Sequence, residues 1–207
     1  MSPAELYHIC LTVPGADADA VPLILLHGSG GSECDLIPLA AEFAPEAPVL
    51  AVRGTVPFED GHAFFHRRAD RSIDEADLRA RLPALATLVT TECRAQGFAR
   101  APIVVGFSNG AIMATALLWE HPALVAGAIL LRPLSPFIED PPGQLNGKPV
   151  LIIDGEKDSR RATGDGARLA ERMRQAGARV THHVLPVGHA ITDLDKQLAR
   201  TWLTDLR

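Results

Sequence analysis

The most constraining feature of this chain is a serine between two glycines, placed where an apolar run gives way to a helical pattern. Residues 102–111 read Pro-Ile-Val-Val-Gly-Phe-Ser-Asn-Gly-Ala. The Ile/Val run predicts a buried strand, and the Ala-rich segment after Gly110 predicts a helix. Ser108 would lie in a tight, strained bend that requires small residues at 106 and 110. The pattern therefore predicts a sheet with the Ser108 hydroxyl raised at one edge, within reach of a base.

Short apolar runs alternate with helical patterns along the rest of the chain. This alternation is typical of a mostly parallel sheet flanked by helices. We expect a single α/β domain spanning residues 1–207, with little or no cap. The expected strands are residues 7–13, 22–27, 49–52, 103–107, 126–132, 150–154 and 180–186.

Helices are expected between these strands. One face repeats over residues 36–43, and the capping-box pattern that begins at Ser72 predicts a second helix. Pro83 should kink that helix or mark a fresh start, because proline removes a backbone donor. A later helix should stop at Gly177, and residues 191–202 give a final amphipathic helix.

Composition narrows the class of function. The net charge is −5 with scattered arginines, which argues against nucleic acid as a partner. The first residues form no secretion signal, and no apolar run approaches the length of a membrane span. Three widely separated cysteines favour a reducing cytoplasm over a disulfide framework. We expect a cytoplasmic protein.

A serine hydroxyl becomes an effective nucleophile only beside a base, and the base needs an acid to orient it. Around a turn of this kind, the three residues follow in the chain order Ser, Asp or Glu, His. His189 comes after a predicted strand and a Gly-His turn. It lies at the edge of the sheet where the parallel strands end. Open α/β sheets bind their ligands at this edge. We therefore expect Ser108 as nucleophile and His189 as base.

Two aspartates compete for the role of the acid. Residues 150–158 read Val-Leu-Ile-Ile-Asp-Gly-Glu-Lys-Asp, a strand followed by an acid-rich loop. Asp158 lies in the loop, free to turn toward the imidazole. Asp154 ends the strand, where a turn ahead of Gly155 is its simpler role. We favour Asp158 and keep Asp154 as the alternative.

A glycine-rich loop follows the predicted strand at 22–27 and reads Gly-Ser-Gly-Gly-Ser over residues 28–32. Such a loop lets the main chain approach a substrate oxygen and point an N–H at it. We expect the N–H of Ser29, with Gly30 as alternative, to form an oxyanion hole with the N–H of Asn109. Each such donor is typically worth ~2.7–4 kcal/mol of transition-state stabilisation.

No cofactor or metal is expected. The loop lacks the Gly-Lys-Ser/Thr ending of a P-loop, and a dinucleotide fingerprint from Gly28 would need glycine where Glu33 stands. His62 and His66 have a spacing that suits a metal, but no third ligand accompanies them, so a surface or pocket-rim role is favoured.

Taken together, these residues resemble the α/β-hydrolase fold and, more narrowly, the phospholipase/carboxylesterase family of small, nearly capless esterases. Within the family the chain is similar to bacterial carboxylesterase-like hydrolases of the hydroquinone-inducible type. The matching segments are residues 26–31, 52–54, 64–68, 106–111, 155–158 and 188–189. The resemblance implies a Ser-His-Asp serine hydrolase of carboxylic esters that works through an acyl-enzyme, as a monomer or homodimer.

The substrate pocket is less constrained. Four apolar residues from the two irregular stretches at 54–70 and 133–147 could line an acyl or aryl site, or pack as core beneath a loop. They are Phe64, Phe65, Leu134 and Phe137. Arg53 and Arg132 follow predicted strands at the same edge and could bind a substrate carboxylate or pair with nearby surface acids.

Two other functions remain open. An acyl thioesterase or lysophospholipase would use the same residues, and the resemblance does not separate these from an esterase. A catalytically silent binding module on this scaffold is the alternative of a different class. The presence of both Ser108 and His189 argues against it.

Overall fold

The structure is a computed structural model that describes residues 10–17, 20–141 and 144–206. Nine strands are present in this described part: β1 (Cys10–Val13), β2 (Leu23–Leu26), β3 (Val49–Val52), β4 (Val56–Phe58), β5 (Gly61–Ala63), β6 (Ile103–Phe107), β7 (Gly127–Leu131), β8 (Pro149–Gly155) and β9 (Arg179–Leu185). The helices are α1 (Ile37–Phe43), α2 (Glu75–Ala95), α3 (Asn109–Glu120), α4 (Asp165–Gln175) and α5 (Asp193–Asp205).

Seven strands form one sheet in the order β1-β3-β2-β6-β7-β8-β9. Every neighbouring pair is parallel except β1 with β3. This confirms the mostly parallel sheet that the apolar runs predict. Each of the seven predicted strands is present, with small differences at the ends, and residues 7–9 of the first prediction lie outside the described residues.

Helices cover both faces of the sheet. Along β2, Ile24 and Leu26 face the core that holds α2, α3 and α4, whereas Leu23 and Leu25 face the core beneath α1 and α5. All four side chains are buried, as expected for a central parallel strand whose successive residues point to opposite layers.

One local prediction for the second helix was wrong, and the structure excludes one of the two alternatives at Pro83, a kink or a fresh start. Its N-cap is Asp74, whose Oδ1 accepts from the N–H of Asp77 at 3.2 Å, whereas the Ser72 hydroxyl binds Asp70. Asp74 competes well for this role because its carboxylate accepts at a helix N-terminus. The helix also continues through Pro83 from Glu75 to Ala95, so no fresh start occurs there.

An antiparallel hairpin, β4–β5, lies within a stretch that the sequence predicts to be irregular. It meets the Gly-rich loop after β2, because the N–H of Gly30 donates to the carbonyl of His62 at 2.9 Å and the N–H of His62 donates to Gly31. The hairpin thereby fixes that loop. No helix in the described part of the chain combines the length and apolar character needed to cross a membrane.

Candidate active site

Ser108 lies at the sharp turn between β6 and α3. Its backbone has φ 53° and ψ −107°, a conformation that residues other than glycine rarely adopt. A Cβ on Gly110 would lie 2.1 Å from the carbonyl oxygen of Leu26, and one on Gly106 would lie 2.5 Å from that of Gly110. Both glycines are needed for this close approach. The turn holds Ser108, 9% exposed, at the edge of the sheet.

Two loops bring His189 and Asp158 to this serine. The Oγ of Ser108 is 2.9 Å from Nε2 of His189, and Nδ1 of His189 is 2.6 Å from Oδ2 of Asp158. A carboxylate that accepts from Nδ1 holds the ring proton there and leaves Nε2 free to accept the hydroxyl proton. The geometry therefore suits proton transfer from serine to histidine.

The pKa shifts of Asp158 and His189 agree with a charged carboxylate beside a neutral imidazole. Burial raises the pKa of Asp158, but the hydrogen bonds from His189 and from the Arg160 N–H outweigh it, and the net pKa is lowered. Burial also lowers the pKa of His189, against the opposing effect of Asp158. At neutral pH the aspartate is therefore charged and the histidine is neutral.

Asp154, the alternative acid, points elsewhere. Its Oδ2 lies 2.7 Å from Nε2 of His182, on the neighbouring strand β9. It also packs closely under the start of α4, where a Cβ on Gly166 would lie 1.6 Å from the same oxygen. Asp158 is therefore the carboxylate that contacts His189.

The Gly-rich loop and the start of α3 carry the backbone N–H groups that the sequence predicts for an oxyanion hole. In the described part of the chain, the N–H groups of Ser29 and Asn109 donate to no protein acceptor. The N–H of Gly30, the alternative donor, is already bonded to His62. The first N–H groups of a helix have no partner within the helix, which leaves that of Asn109 available.

His27 stabilises this loop, a role that the sequence analysis missed. Its buried ring accepts from the N–H of Gly54 at Nε2, 2.9 Å away, and its Nδ1 lies 2.6 Å from the carbonyl oxygen of Gly28. These two contacts require the proton on Nδ1, so the ring is neutral. Burial lowers the pKa of His27 in agreement with this assignment.

A second basic residue, Arg161, contacts the serine, and the sequence analysis missed it. Its Nη2 donates to Ser108 Oγ at 3.2 Å. Its Nε donates to the carbonyl oxygen of Arg132 at 2.9 Å, which holds the guanidinium over the site. The sequence of the acid-rich loop after β8 gives no signal for this role, because Arg161 belongs to none of the motifs found.

Comparisons with known proteins bear on this site. The model of the phospholipase/carboxylesterase family matches residues 9–205, almost the whole chain. The chain belongs to this family. It is 34% identical over 183 residues to the hydrolase MhqD of Bacillus subtilis (strain 168), covering 87% of this chain and 90% of that protein.

Solved structures give the same result. The carboxylesterase of Bacillus cereus has a TM-score of 0.92 and 32% identity, over 98% of this chain and 96% of that one. A carboxylesterase from Mesorhizobium loti has a TM-score of 0.85 and 33% identity, over 92% and 90%. The chain is thus a carboxylesterase-like hydrolase with the α/β-hydrolase fold, as the sequence resemblance indicates.

In this phospholipase/carboxylesterase family member, the two arginines considered for carboxylate binding are both paired. Arg53 forms a bidentate ion pair with Glu33, at 2.5 and 2.6 Å. Arg132 has no exposed surface, and its guanidinium binds both carboxylate oxygens of buried Asp195. Arg132 therefore cannot reach a substrate, and its partner is a core acid rather than a surface acid.

The apolar candidates divide between core and cleft. Phe64 and Phe65 are buried in the core, held by Asn109, whose Oδ1 accepts from the N–H of Phe64 at 2.7 Å. Leu134 and Phe137 line a surface cleft whose lining residues do not include Ser108, Asp158 or His189, and Phe137 is itself only 3% exposed. Leu134 and Phe137 are thus compatible with a pocket wall, whereas Phe64 and Phe65 are core residues that contact Asn109 at the turn.

The Arg132–Asp195 pair fixes the loop that carries His189, because Arg132 also donates to the carbonyl oxygens of Gly188 and Ala190. We expect Arg132→Met to lower the free energy of unfolding by about 3–5 kcal/mol, since it leaves a buried carboxylate without its cation. Arg168→Met, which breaks an exposed pair with Asp165, should cost about 0–1 kcal/mol.

Urea unfolding monitored by circular dichroism measures both values. Equal and small losses in the two variants would contradict this role for Arg132.

Proposed function

We propose that this hydrolase is a serine esterase that cleaves carboxylic esters with small acyl or aryl groups, on one catalytic domain. Ser108 is the nucleophile, His189 the general base, and Asp158 the acid that orients it. The observation that carries the proposal is the hydrogen-bond chain from Ser108 Oγ through the two ring nitrogens of His189 to the Asp158 carboxylate. Family membership supports the same reaction class.

In the first step, Ser108 Oγ attacks the ester carbonyl while Nε2 of His189 takes the hydroxyl proton. Negative charge develops on the carbonyl oxygen, and the unpaired N–H groups of Ser29 and Asn109 stabilise it. The charged imidazole is stabilised by Asp158, which stays ionised. The ester bond then breaks, and His189 gives its proton to the leaving alcohol.

The second step uses the same groups in reverse. Water attacks the acyl-enzyme carbonyl, His189 removes a proton from this water, and the oxyanion again forms at the Ser29 and Asn109 amides. Collapse releases the carboxylic acid and returns the proton to Ser108 Oγ. The sequence of steps balances without a metal or an organic cofactor.

Ester and thioester hydrolysis share this mechanism, so a matched substrate pair separates them. We expect p-nitrophenyl butyrate to be cleaved with a higher kcat/KM than its S-aryl thioester with the same butyryl group. A panel of acyl lengths and a lysophospholipid completes the test. Turnover confined to thioesters or to the lysophospholipid would contradict the esterase proposal. It would favour the alternative, an acyl thioesterase or lysophospholipase that uses the same three residues.

The pH profile follows from the lowered pKa of His189. The base works only when neutral, so kcat/KM falls as pH drops through that pKa. Because burial lowers this pKa, the midpoint of the acidic limb should lie below the ordinary histidine value of about 6.5. Initial rates by pH-stat titration measure the profile, and a midpoint clearly above that value would contradict it.

The proposal includes a cytoplasmic location and a small-molecule ester as partner, with the protein acting as a monomer or homodimer. Cys10, Cys34 and Cys93 are unpaired within the described residues, as is usual in a reducing compartment. Fractionation tests the location, and light scattering tests the assembly.

A further inference from the structure

Arg161 is an unusual neighbour for a nucleophilic serine. One N–H of its Nη2 contacts Ser108 Oγ at 3.2 Å, and its other contacts are to neutral carbonyl oxygens. These carbonyls belong to Arg132, Pro133 and Arg160. A full positive charge thus lies beside the reacting oxygen with only neutral acceptors around it.

The acids nearest to Arg161 are already engaged. Three carboxylates lie close enough to raise its pKa, and each has a basic partner of its own. The pairs are Asp158 with His189, Asp154 with His182, and Asp165 with Arg168. Among the described residues, no carboxylate lies within ion-pairing distance of Arg161.

A second cation, Arg67, lies close enough to Arg161 to affect its pKa. Burial, and after it the charge of Arg67, lower the pKa of Arg161 to about 10. The pKa of Arg67 is itself lowered by burial, and its side chain donates to the carbonyl oxygen of Arg71 at 2.8 Å rather than to an acid. Among the described residues, neither of these two partly buried cations has a carboxylate within ion-pairing distance, and a directly bound anion would stabilise both.

A cleft of about 560 Å³ opens next to Arg67 and Arg160, and Arg161 and Ser108 lie outside the set of residues that line it. Its wall includes Arg67, Arg160 and Leu134, and the last two are the chain neighbours of Arg161 and Pro133. Six arginines and three acids line it, in a chain whose net charge is −5. The cleft therefore combines a local excess of positive charge with an apolar wall that includes Phe137.

We propose that Arg161, together with Arg67 at the neighbouring cleft, binds a carboxylate on the substrate, so that the preferred ester is a hemiester of a short dicarboxylic acid. This inference rests on the proposed esterase function. The leaving alcohol must lie near Nε2 of His189, which protonates it. Arg161 contacts Ser108 Oγ by a hydrogen bond separate from that of His189, and we place the carboxylate on the acyl part because this part becomes bonded to Oγ.

The test uses mono-p-nitrophenyl succinate and its neutral methyl ester, which share the same acyl length and leaving group. We expect the wild type to prefer the anionic ester. Arg161→Met should lower the ratio of the two kcat/KM values by about 10- to 100-fold, the effect of losing a charge-assisted hydrogen bond. Arg161→Lys should retain part of the preference, and Arg67→Met should lower it less.

Arg174→Met, an exposed arginine on α4, is the matched control and should leave the ratio unchanged. A wild type that prefers the neutral ester overturns the inference. So does an Arg161→Met variant that loses both esters equally, because Arg161 is then only a positioning residue for Ser108. Thermal melting of each variant checks that the fold is intact, and Arg67→Met gives an independent reading if Arg161→Met does not fold.

Failure of this inference is distinct from failure of the esterase proposal. If the neutral ester is hydrolysed in a Ser108-dependent way but the ratio is insensitive to both arginines, only the carboxylate site is wrong. If neither ester is hydrolysed, the esterase proposal fails and the carboxylate site fails with it.

Discussion

Ser108→Ala is expected to lower kcat/KM for p-nitrophenyl butyrate by at least about four orders of magnitude, since removal of a serine nucleophile in a comparable triad costs about 10⁶-fold. In the proposed mechanism, the oxygen of the Ser108 hydroxyl forms the acyl bond, and alanine offers no atom that could replace it. Residual turnover would come from water attack helped by the oxyanion donors alone. Initial rates of p-nitrophenol release measure the loss.

Ser159→Ala is the matched control, because Ser159 is exposed in the loop after β8. Its activity should equal that of the parent. The free energy of unfolding of Ser108→Ala should change little, since the small alanine fits where the serine lies. Activity of Ser108→Ala close to that of the parent would exclude Ser108 as the nucleophile.

Asp158→Asn is expected to lower kcat by about 10⁴-fold, the effect seen for the same change in a serine protease triad. An asparagine amide donates a hydrogen bond to Nδ1 of His189 and so drives the ring proton to Nε2. The nitrogen that faces Ser108 Oγ, 2.9 Å away, could then no longer accept the hydroxyl proton. The loss should appear in kcat more than in KM.

Asp154→Asn distinguishes the two aspartates. Asp154 contacts His182 rather than His189, so this change should alter kcat by no more than a few-fold while affecting stability through its contacts with β9 and α4. If Asp154→Asn is the more damaging of the two substitutions for turnover, the assignment of Asp158 is wrong.

Much of the sheet could be predicted because its strands are continuous apolar runs. Strands such as β2 and β6 are covered on both faces, so nearly every residue is apolar and the continuous run is easily recognised. The β4–β5 hairpin escaped prediction because its strands have three residues each and one contains Pro57. Its pairing depends on the distant Gly-rich loop, which local patterns do not report.

The geometry of the turn at Ser108 was predictable because a backbone requirement selects the residue types. The strained turn demands Gly106 and Gly110, and this makes Ser108 recognisable from sequence. Arg161 and His27 act through contacts between segments far apart in the chain, so neither has a local signal. The partners of Arg53 and Arg132 also depend on tertiary packing, which brings Glu33 and Asp195 to them.

Covalent labelling by a fluorophosphonate tests the central claim most directly, because this reagent reacts with a serine only when a base activates it. Intact-protein mass spectrometry should find one adduct, and peptide mapping should assign it to Ser108. The Ser108→Ala variant should take up no label, and His189→Ala should react far more slowly. A wild type that stays unlabelled, or a Ser108→Ala variant that labels at the wild-type rate, would contradict the account.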